Sequence, residues 1–252
     1  MSARPRVGLF VTCLVDLMRP SVGLAAARLL EQAGCDVVVS AAQTCCGQPA
    51  WNSGADADAA AIARQVIDAF EEFDYIVVPS GSCAGMIRVH YPEALSADVA
   101  WAARARALAE KTHELISFLV NLRGVSTVAA ACRTSVCYHD SCSALRELGI
   151  KAEPRRLLAS VDGLELRELK EPEVCCGFGG LFSVKYPEIS ERMADDKIAD
   201  AQSTGAELLT SSDLGCLLHL AGRIARRNIP VRVRHIAEIL AGKVEVPPMA
   251  GK

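Results

Sequence analysis

Cys175-Cys176-Gly177-Phe178-Gly179-Gly180 restates, in the second half of the chain, what Cys45-Cys46-Gly47-Gln48-Pro49 states in the first. Each adjacent cysteine pair has the same companions. Cys13 lies 32 positions before Cys45 and Cys142 lies 33 before Cys175, while Cys83 follows Cys46 by 37 and Cys216 follows Cys176 by 40. One four-cysteine pattern is therefore written twice, and the fold must be read as a duplication.

The segments between the cysteines alternate between β-type and helical patterns. In the first half, Arg6–Thr12 reads as a strand, Cys13 as a loop residue, and Val22–Ala33 as an amphipathic helix ending at Gly34. Asp36–Ser40 is the next strand. Asn52-Ser53 can cap a helix carrying Asp56 and Asp58 in its first turn and Ile62, Val66 and Phe70 along one face. Tyr75–Pro79 is a continuous apolar strand of the kind buried on both faces of a parallel sheet. Helices then follow to about Tyr91, over Ala97–Lys111 and over Glu114–Leu122.

Asn121–Ser126 is the candidate linker, and beyond it the order repeats. Ser135–His139, Leu164–Leu169, Ala206–Thr210 and Val231–His235 read as strands, the last as an edge strand. Ala144–Leu148, the stripe Ile189, Met193, Ala194, Ile198 and Ala201, then Leu214–Arg227 and Ile236–Ala241, read as helices. His113-Glu114-Leu115-Ile116 echoes His235-Ile236-Ala237-Glu238 near the ends of the halves. The fold class expected is α/β: two similar tandem halves, residues 1–124 and 125–252, each a parallel sheet flanked by helices, related by a pseudo-twofold duplication. Ligands of such sheets bind beyond the carboxyl ends of the strands, and every repeated cysteine falls just after a predicted strand.

Composition narrows the function. At 252 residues, 51% hydrophobic with a net charge of −3, the chain has enough core for two domains and no charge bias toward nucleic acid or an anionic membrane. The apolar run Val7–Thr12 is too short for a signal-peptide core, and no stretch approaches a membrane span, so a cytoplasmic location is expected. Eleven cysteines, about 4% of the chain, are in a reducing compartment better read as metal ligands or catalytic thiols than as disulfides.

Four thiolates converging from three loops suit zinc or an iron–sulfur centre. Zinc knuckles normally separate their cysteines by two to four residues, whereas adjacent cysteines reach different irons of a larger cluster more comfortably. Glycines after each pair would let backbone amides approach the sulfurs, or serve only to make a tight turn. Cys83 and Cys216 are expected in first helical turns behind Ser80/Ser82 and Asp213, where a helix N-terminus favours thiolate. Cys35, Cys132 and Cys137 fall outside the repeat and read as small buried hydrophobes, with Cys137 near enough to Cys142 to stay in view. Arg223, Arg226 and Arg227 read as a solvated helix end, with a docking surface for an acidic partner as the alternative.

These motifs resemble the tandem cysteine-rich CCG-domain proteins, and Asn52-Ser53-Gly54, Pro79-Ser80-Gly81-Ser82-Cys83 and Tyr138-His139-Asp140-Ser141-Cys142 resemble the lactate-utilisation branch. More distant similarity reaches the B subunit of heterodisulfide reductase and the iron–sulfur subunit of glycolate oxidase. The resemblance implies an oxidoreductase subunit oxidising L-lactate, a 2-hydroxy acid, to pyruvate. It would act with a ferredoxin-like iron–sulfur partner protein and a third lactate-utilisation protein. It also implies ligand sets Cys13, Cys45, Cys46, Cys83 and Cys142, Cys175, Cys176, Cys216.

The family motif closes on Cys-x-x-Cys, but Cys83-Ala-Gly-Met86 and Cys216-Leu-Leu-His219 lack the last cysteine. The non-cubane cluster that uses that thiolate is therefore not expected. A four-cysteine cluster of [4Fe-4S] type, or zinc at one or both sites, is left open. His219, one turn after Cys216, could replace the missing ligand or satisfy a local hydrogen bond. Met86 reads as packing, and His139 as a neighbour of the centre, a proton donor or a plain strand residue. Two other readings stand beside lactate oxidation: thiol–disulfide chemistry at a cluster, and a zinc-stabilised, non-catalytic binding module.

Overall fold

A computed structural model describes residues 4–250. The chain falls into two compact units that divide between Gly124 and Val125. Each contains a four-stranded, fully parallel sheet with helices, and the two sheets share one strand order.

In the first unit β1 (Arg6–Leu9) lies between β2 (Asp36–Val38) and β3 (Tyr75–Val78), with β4 (Thr112–Glu114) beyond β3. Ile76, Val77 and Val78 are fully buried, as a strand covered on both faces must be. Gly8 leaves room on β1 for the rings of Phe70 and Phe73, which a methyl group there would strike. Ala59, Ala63, Val66, Ile67 and Phe70 form the buried face of the helix Asp56–Phe70.

In the second unit β5 (Ala131–Tyr138) lies between β6 (Asp162–Leu166) and β7 (Leu208–Ser211), with β8 (Arg232–His235) outside β7. The helix Leu214–Arg226 covers this sheet with Leu217, Leu220 and Ile224, all buried. The α/β class and the duplication are thus as the sequence indicates.

Several local expectations are corrected. Cys13 is not in a loop: it opens the short helix Cys13–Met18, whose Thr12 hydroxyl accepts from Val15 N at 3.4 Å. Cys142 likewise opens Cys142–Arg146 behind Ser141. Asn52 and Ser53 end the helix Gln48–Ser53 instead of capping the next one, and Ser53 donates back to Ala50 O. The helix expected from Glu114 is preceded by the unforeseen strand β4, and Glu114 caps Leu115–Ser117 by accepting from Ile116 N and Ser117 N. The helix Ala152–Ala159 was also unforeseen. Ile189 is exposed, outside the buried stripe of Pro187–Ser203. The echo near the ends is shifted by one: Val78 pairs with Glu114 and Ser211 with His235, so Glu114 and His235, both helix caps, are the equivalent residues.

Candidate metal centre

Three strand-to-helix turns deliver the first set of thiols. Cys13 follows β1, Cys45 and Cys46 follow β2, and Cys83 sits in the first turn of Gly81–Gly85 after β3, its amide held by the Ser80 hydroxyl at 3.4 Å. The sulfurs of Cys13 and Cys45 are 3.9 Å apart and those of Cys46 and Cys83 3.3 Å apart. Cys45 and Cys46 touch as well, so the four form one continuous group. Beyond their contact with each other, the adjacent cysteines turn to different partners, Cys45 to Cys13 and Cys46 to Cys83.

The second set repeats this plan. Cys142 and Cys175 sulfurs lie 3.7 Å apart, and Cys176 bridges Cys175 and Cys216. Asp213 caps the helix carrying Cys216 through Gly215 N at 3.1 Å. In each half a glycine amide points at the first thiol of the pair: Gly47 N to Cys45 Sγ at 3.4 Å, Gly177 N to Cys175 Sγ at 3.3 Å. Both glycines have φ above 80° (83° and 87°), a left-handed conformation that turns the amide toward the sulfur. Amides approaching sulfur are therefore present, and the turn that allows them needs glycine.

Crowding splits the thiols electrically. Hydrogen bonds from Cys13 and from Cys46, joined by the Gly47 amide, hold Cys45 far below the usual thiol range, and Cys142, Cys176 and Gly177 do the same for Cys175. Cys13 and Cys142 are pushed upward by their bonds to those thiolates and by burial. Cys46 and Cys176 are raised for the same reasons. Each half thus holds one ready thiolate, while Cys13, Cys46, Cys142 and Cys176 give up their protons more readily when a cation shares the pocket. Such a donor set fits a thiophilic metal, either a single zinc ion or the irons of a cluster.

The surroundings of the two sets differ. Around the first, Phe10 packs on Phe70 with ring centres 5.4 Å apart, Met86 is fully buried, and Tyr91 donates to Cys46 O at 2.8 Å. Around the second, His139 is fully buried, and neither ring nitrogen makes a hydrogen bond of good geometry. Burial, with Lys197 nearby, lowers its pKa to about 4, so the imidazole is neutral. One nitrogen of His139 and the sulfurs of Cys176 and Cys216 all lie within 4.8 Å of one another.

His219 is engaged elsewhere: Nε2 is 3.2 Å from Ser190 Oγ, which in turn donates to Gly177 O at 2.8 Å, bracing the cysteine turn. Asp140 is buried and gripped by both terminal nitrogens of Arg155 at 2.9 Å. Lys197 is buried too, donating to Glu171 O; burial lowers its pKa, against the opposing pull of Asp200, Cys176, Asp140 and Cys175.

Sequence reasoning passed over Asp140, Arg155 and Lys197. His139 was already singled out, and the signal for Asp140 was available, since counting back from Cys13 and Cys142 sets His139 opposite Phe10 and Asp140 opposite Val11. The other three cysteines lie apart from both groups. Cys35, Cys132 and Cys137 are buried, and burial pushes Cys137 up to about 12, so it behaves as a hydrophobe. Arg223 and Arg227 pair with Asp195 in the same unit, which leaves less charge for a docking surface.

A doubled parallel α/β unit with a four-thiol group at each carboxyl edge defines a tandem cysteine-rich-domain protein, and the family model described as "CCG: Cysteine-rich domain" matches residues 7–88 and 136–221. The chain belongs to the lactate utilization protein A family. It is 50% identical to lactate utilization protein A of Geobacillus kaustophilus and 49% identical to that of Bacillus velezensis, in each case across 93% of this chain and 98% of the relative. The Bacillus subtilis protein of the same name is 47% identical over the same shares. Among solved structures, a glutamate racemase isoform from Bacillus anthracis aligns over 97% of this chain and 81% of its own at 9% identity, but its TM-score of 0.35 carries no argument. No helix among the described residues is long and apolar enough to cross a membrane.

Proposed function

We propose that the chain is a metal-bearing redox component of L-lactate oxidation to pyruvate, working with partner proteins of the same system. The observation that carries this reading is the convergence of four thiols in each half, at sulfur separations of 3.3 to 3.9 Å, on the carboxyl edge of a parallel sheet. The name shared by its relatives, lactate utilization protein A, supports the substrate and a system of several proteins. An iron–sulfur centre, when bound, supplies one-electron transfer at a potential tuned by its surroundings.

The chain's residues prepare for such a guest. Cys45 and Cys175, held as thiolates, present the first negative charge to an arriving cation. The amides of Gly47 and Gly177 disperse charge on those sulfurs, which favours the reduced state of a bound centre. Thr12, Ser80, Ser141 and Asp213 fix the helix starts that carry the other thiols. Burial of Cys46, Cys83, Cys176 and Cys216 keeps water from the inner side of each pocket. A hydride acceptor belongs to a partner, since no dinucleotide fingerprint is written in the chain.

The sulfur separations favour a second reading as well. Thiolates on one tetrahedral zinc, with bonds of about 2.3 Å, sit about 3.8 Å apart, close to the spacing here. Zinc in one or both halves would make a stabilised binding module.

Anaerobic purification followed by assay of iron, zinc and acid-labile sulfide decides between them. Iron and sulfide, together with reduction by lactate only when partner proteins are added, uphold the redox reading. Zinc without sulfide selects the second. Replacing Cys45 and Cys46 by serine, or Cys175 and Cys176, should in each case remove the metal of one half and leave the other. Metal-free protein from a strictly anaerobic preparation, with its thiols intact, overturns both.

A further inference from the structure

We propose that His139 supplies a nitrogen ligand to the metal centre of the second half, so that this half holds its guest through mixed nitrogen and sulfur donors while the first half uses thiolates alone. The inference rests on the reading that these pockets bind metal, and it deepens that reading by making the two sites chemically unlike.

The argument begins with backbone equivalence. Phe10 N donates to Val77 O at 2.9 Å, one residue past the end of β1, and His139 N donates to Thr210 O at 2.9 Å, one residue past the end of β5. β1 pairs Leu9 with Val77 and β5 pairs Tyr138 with Thr210, so Phe10 and His139 hold the same place in the two sheets. In the first half that place is filled by a ring packing on Phe70. In the second it is filled by an imidazole that is 0% exposed and has no well-formed hydrogen bond at either nitrogen.

The Pro172 carbonyl approaches the ring, at poor geometry. An under-satisfied buried polar ring costs about 1–3 kcal/mol, so a position that could hold Phe is occupied by His at a loss unless a further group satisfies a ring nitrogen. What lies beside it is the sulfur of Cys176 and the sulfur of Cys216, with one ring nitrogen within 4.8 Å of both. Two thiols and one neutral imidazole make three sides of a soft metal's tetrahedral shell, and Cys175, bonded to Cys176, is placed to supply the fourth donor. His219, the other imidazole of this half close to the cysteines, already uses Nε2 on Ser190. The ligand class is a thiophilic transition metal, as zinc or as the iron of a cluster.

The test uses the full chain purified anaerobically with ¹⁵N-labelled histidine. If the bound metal is iron, the reduced protein is examined for nuclear coupling to a directly bonded histidine nitrogen. If it is zinc, the metal-edge X-ray absorption is fitted for one imidazole among sulfur neighbours. The expected result is one such nitrogen, present in wild type and in His219→Phe and lost in His139→Phe.

In competition with a chelator, His139→Phe should release the second half's metal at least tenfold more readily, and His139→Cys, which returns a donor, should restore retention. The signal is read on wild type first, so a variant that folds poorly does not decide the outcome. Metal bound with no histidine nitrogen coupled, or a coupling lost in His219→Phe and kept in His139→Phe, overturns the assignment and leaves the proposed function standing. Protein that binds neither iron nor zinc overturns both.

Discussion

Phe10 and His139 occupy one backbone position in two sheets of identical strand order, and the divergence between them extends through the whole shell of each thiol group. Val11 answers to Asp140 and Met86 to His219. A methyl group on Gly47 would meet Ala59 O and Ile62 where one on Gly177 meets Ser190 O and Met193, and that match sets Val66 opposite Lys197. The first thiol group is therefore wrapped in rings and aliphatic chains, and the second in an imidazole, an aspartate with its arginine, and a buried lysine. A duplicated scaffold has kept its sulfurs and exchanged its dielectric. Buried polar groups of this kind seldom add net stability, and their retention beside one site only is most simply explained by what that site must do.

The largest test of this contrast strikes the ion pair. Asp140 is 1% exposed in its side chain and Arg155 19%, so removing the cation strands a buried carboxylate next to His139 and Ser141. Arg155→Ala should destabilise the second half by roughly 3 kcal/mol, the range for breaking a buried pair, and leave the first half's unfolding transition in place. Hydrogen exchange, which resolves the two halves separately, is the measurement. Equal loss in both halves, or none, would break the comparison.

The cysteine turns give the next largest difference. Alanine at either Gly47 or Gly177 must hold a left-handed φ, costing about 1–2 kcal/mol. The added Cβ would then lie 3.2 Å from the movable Ile62 side chain at the first position, but 2.6 Å from the Ser190 carbonyl at the second. Gly177→Ala should cost roughly 3 kcal/mol and Gly47→Ala roughly half as much. Because each substitution also shifts an amide off a sulfur, both should weaken metal retention in their own half. Paired denaturation curves and metal assays check the order.

Much of this architecture was legible because its signals are local. The continuous apolar run of β3, the glycine after each cysteine pair and the repeated intervals carry strand, turn and duplication on their face. β4 was missed because three residues, Thr112, His113 and Glu114, follow directly on an Ala/Arg helix and lack a strand's pattern; only pairing with β3 makes them a strand. The helices opening at Cys13 and Cys142 were missed although Thr12 and Ser141 are good caps, because neither runs beyond six residues. His139 could be placed near Cys142 by sequence, but its lack of a well-formed hydrogen bond at either nitrogen is a fact of burial, and no spacing rule reports it.

The smallest test concerns the register pair next to the caps. His113 on β4 corresponds to Arg234 on β8, each one residue before the equivalent caps Glu114 and His235. Arg234 does not titrate near neutrality. Burial first, and then the nearby Arg88 guanidinium, lower the His113 pKa from 6.5 to about 4. The folded state therefore favours the neutral ring. Above pH 6.5 neither folded nor unfolded chain protonates it, and its contribution is constant; as pH falls from 6.5 toward 4 the unfolded chain takes up the proton first and stability is lost.

His113 is only half-buried, so solvent screening cuts the effect to roughly 1 kcal/mol. His113→Leu should remove that part of the first half's acid sensitivity. The gap between wild type and variant should be flat above pH 6.5 and shift by about this amount by pH 4, as followed by hydrogen exchange in the first half. A gap that stays constant through this window would show that the ring is solvated in the folded protein. The contrast between the halves would then be confined to the cysteine shells and would not reach the sheet edge.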